Sequence, residues 1–192
     1  AYGDHDAPSK TEELTPRPKS PYAIQKLTGE YYCWVYHQLF GLETIALRYF
    51  NVFGPRQNPE SQYAAVIPAF ITRMLRGESP VVHGDGLQSR DFTYIANVID
   101  ANLAALEAPV AACGQTYNAA CGDSATLLDL ISTINDILGT SIEPDHIESR
   151  AGDVRHSKAA VSRIEEAFGF KARVNLREGL EKTIDWYAGD VG

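Results

Sequence analysis

A run of apolar and β-branched residues at positions 42–50 constrains the fold of this chain more than any other feature. It follows a helical pattern over residues 22–39, which begins directly after the pair Ser20-Pro21. A run of this composition after a helix is typical of a buried parallel strand. The loop at residues 51–56 then lies at the carboxyl end of that strand, where α/β sheets place their ligand contacts.

The rest of the chain alternates between helical and strand patterns, and this alternation predicts an α/β fold. Further helices are predicted near residues 66–76, 98–107, 127–138, 159–168 and 176–187. Further strands are predicted near residues 81–83, 91–94, 116–119 and 142–146. Thr126 and Asp129 have the spacing of a capping box at the start of one of these helices.

The composition and charge exclude several classes of partner. The 192 residues carry a formal net charge of −8, which argues against broad binding to nucleic acid or to an anionic membrane. No apolar run approaches the roughly 18 residues of a membrane span. The three cysteines form no Cys-x-x-Cys pair, and the five histidines show no metal-ligand spacing. We therefore expect a cytoplasmic protein with reduced thiols and without a metal site.

Tyr22 and Lys26 lie four residues apart near the start of the first predicted helix. Residues at this spacing share one helix face, so the ammonium group is expected beside the phenol ring. An isolated phenol is a poor base at neutral pH, and a neighbouring cation favours its phenolate form. The pair is therefore a candidate general base, although many pairs with this spacing are solvated helix surface.

Several segments carry a resemblance to a known family when they are taken together with this pair. They are Ser-Pro-Tyr-Ala-Ile-Gln-Lys at 20–26, Arg-Tyr-Phe-Asn-Val-Phe-Gly-Pro-Arg-Gln at 48–57, Gly-Asp-Gly at 84–86, Ser-Arg-Asp-Phe-Thr-Tyr-Ile at 89–95, Tyr-Asn at 117–118 and Arg-Ala-Gly-Asp-Val-Arg-His-Ser at 150–157. The chain resembles the extended short-chain dehydrogenase/reductases of the NAD-dependent epimerase/dehydratase family. Its nearest likeness is to the NAD-dependent 4-epimerases of nucleotide sugars.

The resemblance implies roles for particular residues, with NAD as the cofactor and a UDP-sugar as the substrate. It implies that Tyr22 is the catalytic base, and that Lys26 supports its ionisation and binds the nicotinamide ribose. Tyr49 resembles the residue that packs near the nicotinamide. The implied substrate contacts are Asn51 at the sugar or its phosphate, Val81 and His83 beside the uracil, Arg90 and Arg150 at the pyrophosphate, and Ser157 at the sugar.

The two arginines suit a pyrophosphate because planar guanidinium groups bind phosphate oxygens in a bidentate manner. They also supply the local positive charge that this acidic chain otherwise lacks. Ser157 resembles a gatekeeper beside the C2 substituent of the sugar. A small residue there implies that N-acetylated sugars are accepted, whereas a further interpretation is that Ser157 caps the helix predicted from residue 159.

The fold that the resemblance implies is α/β, namely the C-terminal part of a Rossmann-type, doubly wound sheet with a smaller α/β substrate-binding domain. Residues 1–55 would form the last part of the NAD-binding domain, with the helix that carries Tyr22 and Lys26. Residues 56–192 would mainly form the region that binds the nucleotide sugar, with some segments returning to the first domain. The Gly-x-x-Gly-x-x-Gly turn that holds the NAD pyrophosphate does not occur in the sequence. We therefore expect a fragment of an epimerase that is inactive alone.

The function implied for the complete enzyme is inversion at C4 of a UDP-hexose or UDP-N-acetylhexosamine through a 4-keto intermediate. Two alternatives remain at this point. One is a nucleotide-sugar 4,6-dehydratase or decarboxylase of the same family, which shares the tyrosine and the lysine. The other is a non-catalytic, truncated module that binds a sugar nucleotide.

The helix near residues 22–39 also implies a homodimer, because the family usually pairs through helices that include this one. Its outer stripe contains Tyr31, Trp34, Val35 and Gln38 at helical spacing. The alternative is that the stripe packs against another part of the same protein. The sequence favours neither alternative.

Overall fold

The computed structural model describes residues 2–3, 5, 7–59, 66–149 and 155–190. Its helices are α1 (Pro21–Phe40), α2 (Val66–Leu75), α3 (Ile95–Leu106), α4 (Leu127–Leu138), α5 (Ser162–Phe168) and α6 (Leu176–Asp190). Its strands are β1 (Ile45–Tyr49), β2 (Val52–Phe53), β3 (Val81–His83), β4 (Ser89–Arg90), β5 (Thr93–Tyr94), β6 (Gln115–Ala119), β7 (Ala125–Thr126), β8 (Asp145–Ile147) and β9 (His156–Ser157). Arg150, one of the two arginines expected at the pyrophosphate, lies outside the described residues.

Helices and strands alternate, and most strand pairs are parallel, so the predicted α/β class is confirmed. β1 pairs in parallel with β6, β2 with β5, and β3 with β8. β4 lies between β7, which is antiparallel to it, and β9, which is parallel. Among the residues just given, none of the helices has the length and apolar character that a membrane crossing requires.

Local sequence signals set both ends of α1. Ser20 is extended, and its Oγ accepts a hydrogen bond from the backbone N–H of Ala23 at 3.1 Å. Pro21 occupies the first turn, where its fixed φ suits a helix. Gly41 ends the helix at a φ of 65°, which glycine adopts without a steric cost. The observed helix therefore extends one residue beyond the predicted range at each end.

The strand predicted as buried at residues 42–50 is shorter and less buried than expected. No residue of β1 is fully buried, and Tyr49 at its end is exposed. The parallel pairing that was predicted is present, with β6 as its partner. In the described part of the chain β1 has a strand neighbour on one side only, and α1 beside it contains no fully buried residue. One edge of the strand is therefore unpaired within the described residues, and the side of β1 towards α1 is incompletely covered.

The helix predicted from residue 159 begins only at Ser162, which makes that boundary wrong. The reason is a contact with a distant segment, since Ala159 forms an isolated parallel bridge with Lys10. The N–H of Lys10 donates to the carbonyl of Lys158 at 2.7 Å, and the N–H of Ala160 donates to the carbonyl of Lys10 at 2.9 Å. These bonds hold residues 159–160 in an extended conformation.

Several other boundaries also differ from the prediction. The helix expected from residue 98 begins at Ile95, the strand expected at 91–94 is confined to β5, and the strand expected at 142–146 is β8. Tyr94 is the N-cap of α3 but makes no side-chain capping bond. No local signal therefore marks that helix start in the sequence.

Buried side chains form three clusters. In the largest, Ile71 of α2, Leu130 of α4 and Leu180 of α6 are fully buried. The second joins α3, β6 and α5, with Tyr117 and Ile164 near its centre. The third is small and lies close to the cavity described below; it consists of Tyr2, Phe50, Ala120 and Ala159.

Asp91 is a fully buried carboxylate that joins the end of β6 to the segment after β9. Its Oδ1 accepts a hydrogen bond from the N–H of Cys121 at 3.1 Å. Its Oδ2 accepts from the N–H groups of Gly122 at 3.0 Å and Ala159 at 3.2 Å. Burial raises the pKa of Asp91 to about 6, while the three amide hydrogen bonds act in the opposite direction.

We expect Asp91→Asn to lower the free energy of unfolding at neutral pH by about 1–3 kcal/mol. The amide NH₂ group then faces a backbone N–H donor, and that buried donor loses its acceptor. Unfolding in urea, followed by circular dichroism, measures the loss. Asp123→Asn, at an exposed carboxylate two residues after Cys121, is the matched control and should change stability by less than about 0.5 kcal/mol. Equal stability of the two variants would contradict the prediction.

Candidate active site

A cavity of about 620 Å³ lies beside β1 and the residues that follow it. It is bounded by the first turns of α1, by the carboxyl end of β1, and by β4 and β9. Six of the residues singled out from the sequence line it, namely Tyr22, Lys26, Tyr49, Asn51, Arg90 and Ser157. Residues from four separate segments therefore meet at one site.

Tyr22 and Lys26 face the cavity from the N-terminal turns of α1. The Nζ atom of Lys26 lies 5.2 Å from the centroid of the Tyr22 ring, so the expected approach of ammonium and phenol is confirmed. The Tyr22 side chain remains 57% exposed. The phenol is accordingly open to a molecule that enters the cavity.

Tyr49 and Asn51 lie at the carboxyl end of β1, where the sequence predicted ligand contacts. The Oη of Tyr49 donates a hydrogen bond to Oδ1 of Asn102 at 3.0 Å, which fixes the ring against α3. Asn51 has a φ of 24°, an uncommon value that asparagine tolerates better than most residues. The carbonyl of Asn51 accepts from the N–H of Thr93 at 3.2 Å, so β5 supports this turn.

Arg90 and Ser157 are directly opposite each other in the parallel pair of β4 and β9. The N–H of Asp91 donates to the carbonyl of Ser157 at 2.8 Å, and Nη1 of Arg90 donates to the carbonyl of Ser89 at 2.9 Å. Ser157 does not cap α5, because that helix begins five residues later and its N-cap is Val161. The interpretation of Ser157 as a helix cap is therefore wrong, and its half-buried side chain lines the cavity.

Two further predicted site residues are not brought to this cavity. Val81 and His83 lie on β3, which pairs with β8, and neither residue lines the cavity. Nδ1 of His83 lies 3.1 Å from the carbonyl oxygen of Glu148. Their assignment to the uracil stays a prediction.

Glu30 and Arg48 line the cavity as well, and neither was among the predicted site residues. Oε1 and Oε2 of Glu30 accept from Nε and Nη2 of Arg48 at 2.9 and 2.6 Å. The Arg48 guanidinium lies over the ring of Tyr2, 4.7 Å from its centroid. The sequence contains a signal for Glu30, since it continues the four-residue spacing of Tyr22 and Lys26, but it contains no signal that pairs it with Arg48.

Tyr2 and Asn118 extend this polar group beneath the cavity. The Oη of Tyr2 donates to Oδ1 of Asn118 at 2.5 Å, and burial raises the pKa of the Tyr2 phenol. Burial alone would lower the pKa of Arg48, but its interactions with the Glu30 carboxylate and with Tyr2 outweigh that effect and raise it. Nη1 of Arg48 is buried and has no hydrogen-bond partner among the described residues.

Among the residues that the structure describes, no group of three or more histidine, cysteine, aspartate or glutamate side chains is arranged to hold a metal ion. Cys33, Cys113 and Cys121 are free thiols. Burial raises the pKa of Cys121 to about 11, so this thiol stays protonated at neutral pH.

A family model described as the NAD dependent epimerase/dehydratase family matches residues 1–120. The chain belongs to this family. A putative UDP-glucose 4-epimerase of Methanocaldococcus jannaschii is 34% identical over 96% of this chain and 59% of its own length. The chain thus spans about three fifths of that relative.

Solved structures of the family have the same fold. A UDP-N-acetylglucosamine 4-epimerase from Methanobrevibacter ruminantium, in complex with UDP-N-acetylmuramic acid, matches with a TM-score of 0.93 and 40% identity over 98% of this chain and 60% of that one. A UDP-glucuronic acid 4-epimerase from Bacillus cereus, in complex with UDP-glucuronic acid and NAD, matches with a TM-score of 0.88 and 34% identity over 100% and 59% of the chains. The Rossmann-like α/β architecture expected from the sequence is confirmed by these matches.

Proposed function

We propose that the protein containing this chain is an NAD-dependent 4-epimerase of a UDP-hexose or UDP-N-acetylhexosamine. The observation that carries the proposal is the meeting of a tyrosine–lysine pair, a strand-end tyrosine and asparagine, an arginine and a small residue at one cavity. The family resemblance implies a role for each of these residues, and their meeting at one cavity supports those roles. The identity to 4-epimerases supports the same reaction.

The residues at the α1 side of the cavity fit the cofactor of the family. Lys26 offers an ammonium donor to a ribose hydroxyl, and Tyr49 offers a half-exposed aromatic face next to it. NAD, when it is bound, accepts a hydride from C4 of the sugar and returns it. This chain supplies the groups that orient the nicotinamide end, whereas it contains no Gly-x-x-Gly-x-x-Gly turn for the pyrophosphate.

Tyr22 is the group that we assign to proton transfer. Its Oη takes the proton of the sugar 4-hydroxyl as C4 is oxidised and gives it back when C4 is reduced. Lys26, one turn along α1, places a positive charge beside the ring during that exchange. Tyr22 is exposed and lines the cavity, so a sugar bound there can approach it.

The opposite wall of the cavity would bind the nucleotide and the sugar. Arg90, together with Arg150, would hold the pyrophosphate, because guanidinium groups match phosphate oxygens in geometry and charge. Asn51 would bind the sugar or its phosphate from the turn after β1. Ser157, opposite Arg90 in the β4–β9 pair, would face the C2 substituent.

The proposal is tested by the product that the full-length protein forms. Incubation with NAD and either UDP-glucose or UDP-N-acetylglucosamine should give the C4 epimer, which proton NMR resolves by the coupling constants of H4. A 4-keto-6-deoxy product, with loss of water, would identify a dehydratase, which is the other activity that the family name includes. Carbon dioxide from UDP-glucuronate would identify a decarboxylase. Binding of UDP-sugars without any turnover would support a non-catalytic module.

We expect residues 1–192 alone to bind no NAD measurably and to have no epimerase activity. The reason is that the sequence lacks the glycine-rich turn whose backbone N–H groups and helix N-terminus hold the NAD pyrophosphate. Isothermal titration of the isolated chain with NAD checks this, with the full-length protein as the positive control. A saturable, stoichiometric signal from the isolated chain would overturn the prediction.

We also propose a homodimer through the outer face of α1. Its predicted stripe contains two exposed aromatic rings, Tyr31 at 57% and Trp34 at 52%, and Leu39 and Phe40 are exposed on the same helix. Single exposed apolar residues are ordinary on protein surfaces, but two exposed aromatic rings one turn apart on one face of a helix support a covered face. Trp34→Asp in the full-length protein should therefore give a monomer.

Light scattering measures this change, and Val110→Asp, at a comparably exposed apolar residue outside α1, should leave the dimer intact. A strictly monomeric wild-type protein would remove the dimer. A dimer that survives Trp34→Asp while its thermal stability falls would instead favour packing of the stripe within one protomer.

A further inference from the structure

Helix α1 carries the proposed base, yet it is weakly anchored in the described part of the chain. None of its 20 residues is fully buried. Its polar contacts with β1 and the loop before β1 include the hydrogen bond from Thr44 Oγ1 to the carbonyl of Cys33 at 2.8 Å and the Glu30–Arg48 pair. Contacts outside the buried core are therefore available to set the rotation of α1 about its axis.

The Glu30–Arg48 pair is well placed for that task. Tyr22, Lys26 and Glu30 follow each other at four-residue spacing, so they share one helix face. Arg48 directly precedes Tyr49 on β1, so the pair links the face of the proposed base to the strand at the nicotinamide side. Both side chains lie in the wall of the cavity.

The two hydrogen bonds of the pair fix the relative orientation of the Glu30 and Arg48 side chains as well as their separation. Two parallel hydrogen bonds of 2.9 and 2.6 Å hold the planar guanidinium against the carboxylate, which a single contact would not do. The guanidinium is further held flat by the Tyr2 ring, and Tyr2 itself is bound to Asn118 of β6. Its remaining nitrogen, Nη1, is buried without a hydrogen-bond partner, and Glu30 is the carboxylate that Arg48 contacts, among the residues that the structure describes.

A contribution to stability does not account for the pair. The side chains are only 10% (Arg48) and 14% (Glu30) exposed. At such burial the desolvation of two charges offsets most of their attraction, and well-packed apolar replacements are often as stable. A buried pair that contributes little stability is best explained by the orientation that it imposes.

We propose that the Glu30–Arg48 pair is a positioning device that holds α1 in the rotation at which Tyr22 and Lys26 point into the cavity. The proposal rests on the proposed function for its kinetic consequence. Glu30 and Arg48 are positioning residues, because they act through α1 and take no part in proton transfer.

The decisive variant replaces both partners by unbranched apolar residues, Glu30→Met together with Arg48→Met, in the full-length protein. If the pair were merely structural, this variant would keep kcat, because its stability is expected to equal or exceed that of the wild type. If the pair positions α1, kcat should fall at least about tenfold although the free energy of unfolding is not reduced. The KM for the UDP-sugar should stay within about twofold, since Arg90 and Ser157 on the opposite wall of the cavity are unchanged.

The control is an exposed ion pair on α6. Lys182 Nζ lies 2.6 Å from Oε1 of Glu178, four residues earlier on the helix. Glu178→Gln together with Lys182→Met should leave kcat and KM unchanged.

If the Glu30–Arg48 double variant unfolds more easily than the wild type, the milder Arg48→Lys, which keeps the charge but loses the bidentate fork, provides the comparison. Arg48→Lys should lower kcat while the free energy of unfolding stays at the wild-type value.

A readout that does not need turnover separates this proposal from the proposed function. A 3-fluorotyrosine at position 22 gives a ¹⁹F resonance that is sensitive to the surroundings of the ring. We expect one narrow signal in the wild type, and a shifted or broadened signal in the Glu30→Met and Arg48→Met double variant. An unchanged resonance together with unchanged kcat would overturn the positioning role. A protein without epimerase activity whose resonance still shifts would overturn the proposed function and retain this inference.

Discussion

Replacing Tyr22 by phenylalanine in the full-length protein is expected to lower kcat by roughly 10²–10⁴-fold. The substitution removes the hydroxyl that we propose takes and returns the proton, and it keeps the shape of the ring. Because the residues on the opposite wall of the cavity are unaffected, the KM for the UDP-sugar should change less than about threefold. A spectrophotometric assay of initial rates over a range of UDP-sugar concentrations measures both constants.

Tyr32→Phe is the matched control for this experiment. Tyr32 lies on the same helix, is 61% exposed, and does not line the cavity. Its variant should keep the wild-type kcat. A Tyr22→Phe enzyme that also retains near-normal turnover would remove Tyr22 from the mechanism, and a loss in both variants would point to damage of α1 rather than to lost proton transfer.

Replacing Ser157 by tyrosine is expected to abolish turnover of UDP-N-acetylhexosamines while sparing UDP-glucose and UDP-galactose. A tyrosine ring at the cavity wall takes the space that an N-acetyl group needs as the sugar turns, and steric exclusion acts on only one substrate class. Hydrogen bonds along β4 hold β9 in place, including the one from the N–H of Asp91 to the carbonyl of Ser157 at 2.8 Å. We expect a change in the ratio of kcat/KM values for the two classes of at least about 10²-fold.

The same substitution at an exposed serine outside this cavity, Ser124→Tyr, is the control and should leave the ratio unchanged. Parallel assays of UDP-glucose and UDP-N-acetylglucosamine with each variant measure the ratio. Equal loss on both substrates, or no change in selectivity, would show that Ser157 is not the gate. Thermal unfolding of each variant separates a specific effect from loss of the fold.

Features that depend on neighbouring residues were predictable from the sequence. The capping box of α4 is present as expected, since Thr126 Oγ1 accepts from the N–H of Asp129 at 3.0 Å and Asp129 Oδ2 accepts from the N–H of Thr126 at 2.9 Å. The approach of Lys26 to Tyr22 follows from helix periodicity alone. Such signals lie within one turn of the chain and need no knowledge of the fold.

Features that depend on distant contacts were missed or misplaced. The start of α5 shifts to Ser162 because Lys10, about 150 positions earlier, holds Ala159 extended. Glu30 and Arg48 are 18 residues apart, and their pairing follows only from how α1 packs on β1. Asp91 similarly meets three amide groups that come from two other segments. No local pattern in the sequence encodes these contacts.

The register of β4 and β9 determines which kinds of sequence change can alter the side chain that β9 presents at the cavity. Ser157 is opposite Arg90, and the bonds from Ser89 to Arg155 and from Asp91 to Ser157 lock that alignment. Inserting or deleting one residue in β9 would turn its side chains to the opposite face and replace the hydroxyl at the cavity by a histidine or a lysine. A substitution at position 157 can therefore change the side chain at this cavity and keep the strand pairing, whereas a change in the length of β9 cannot.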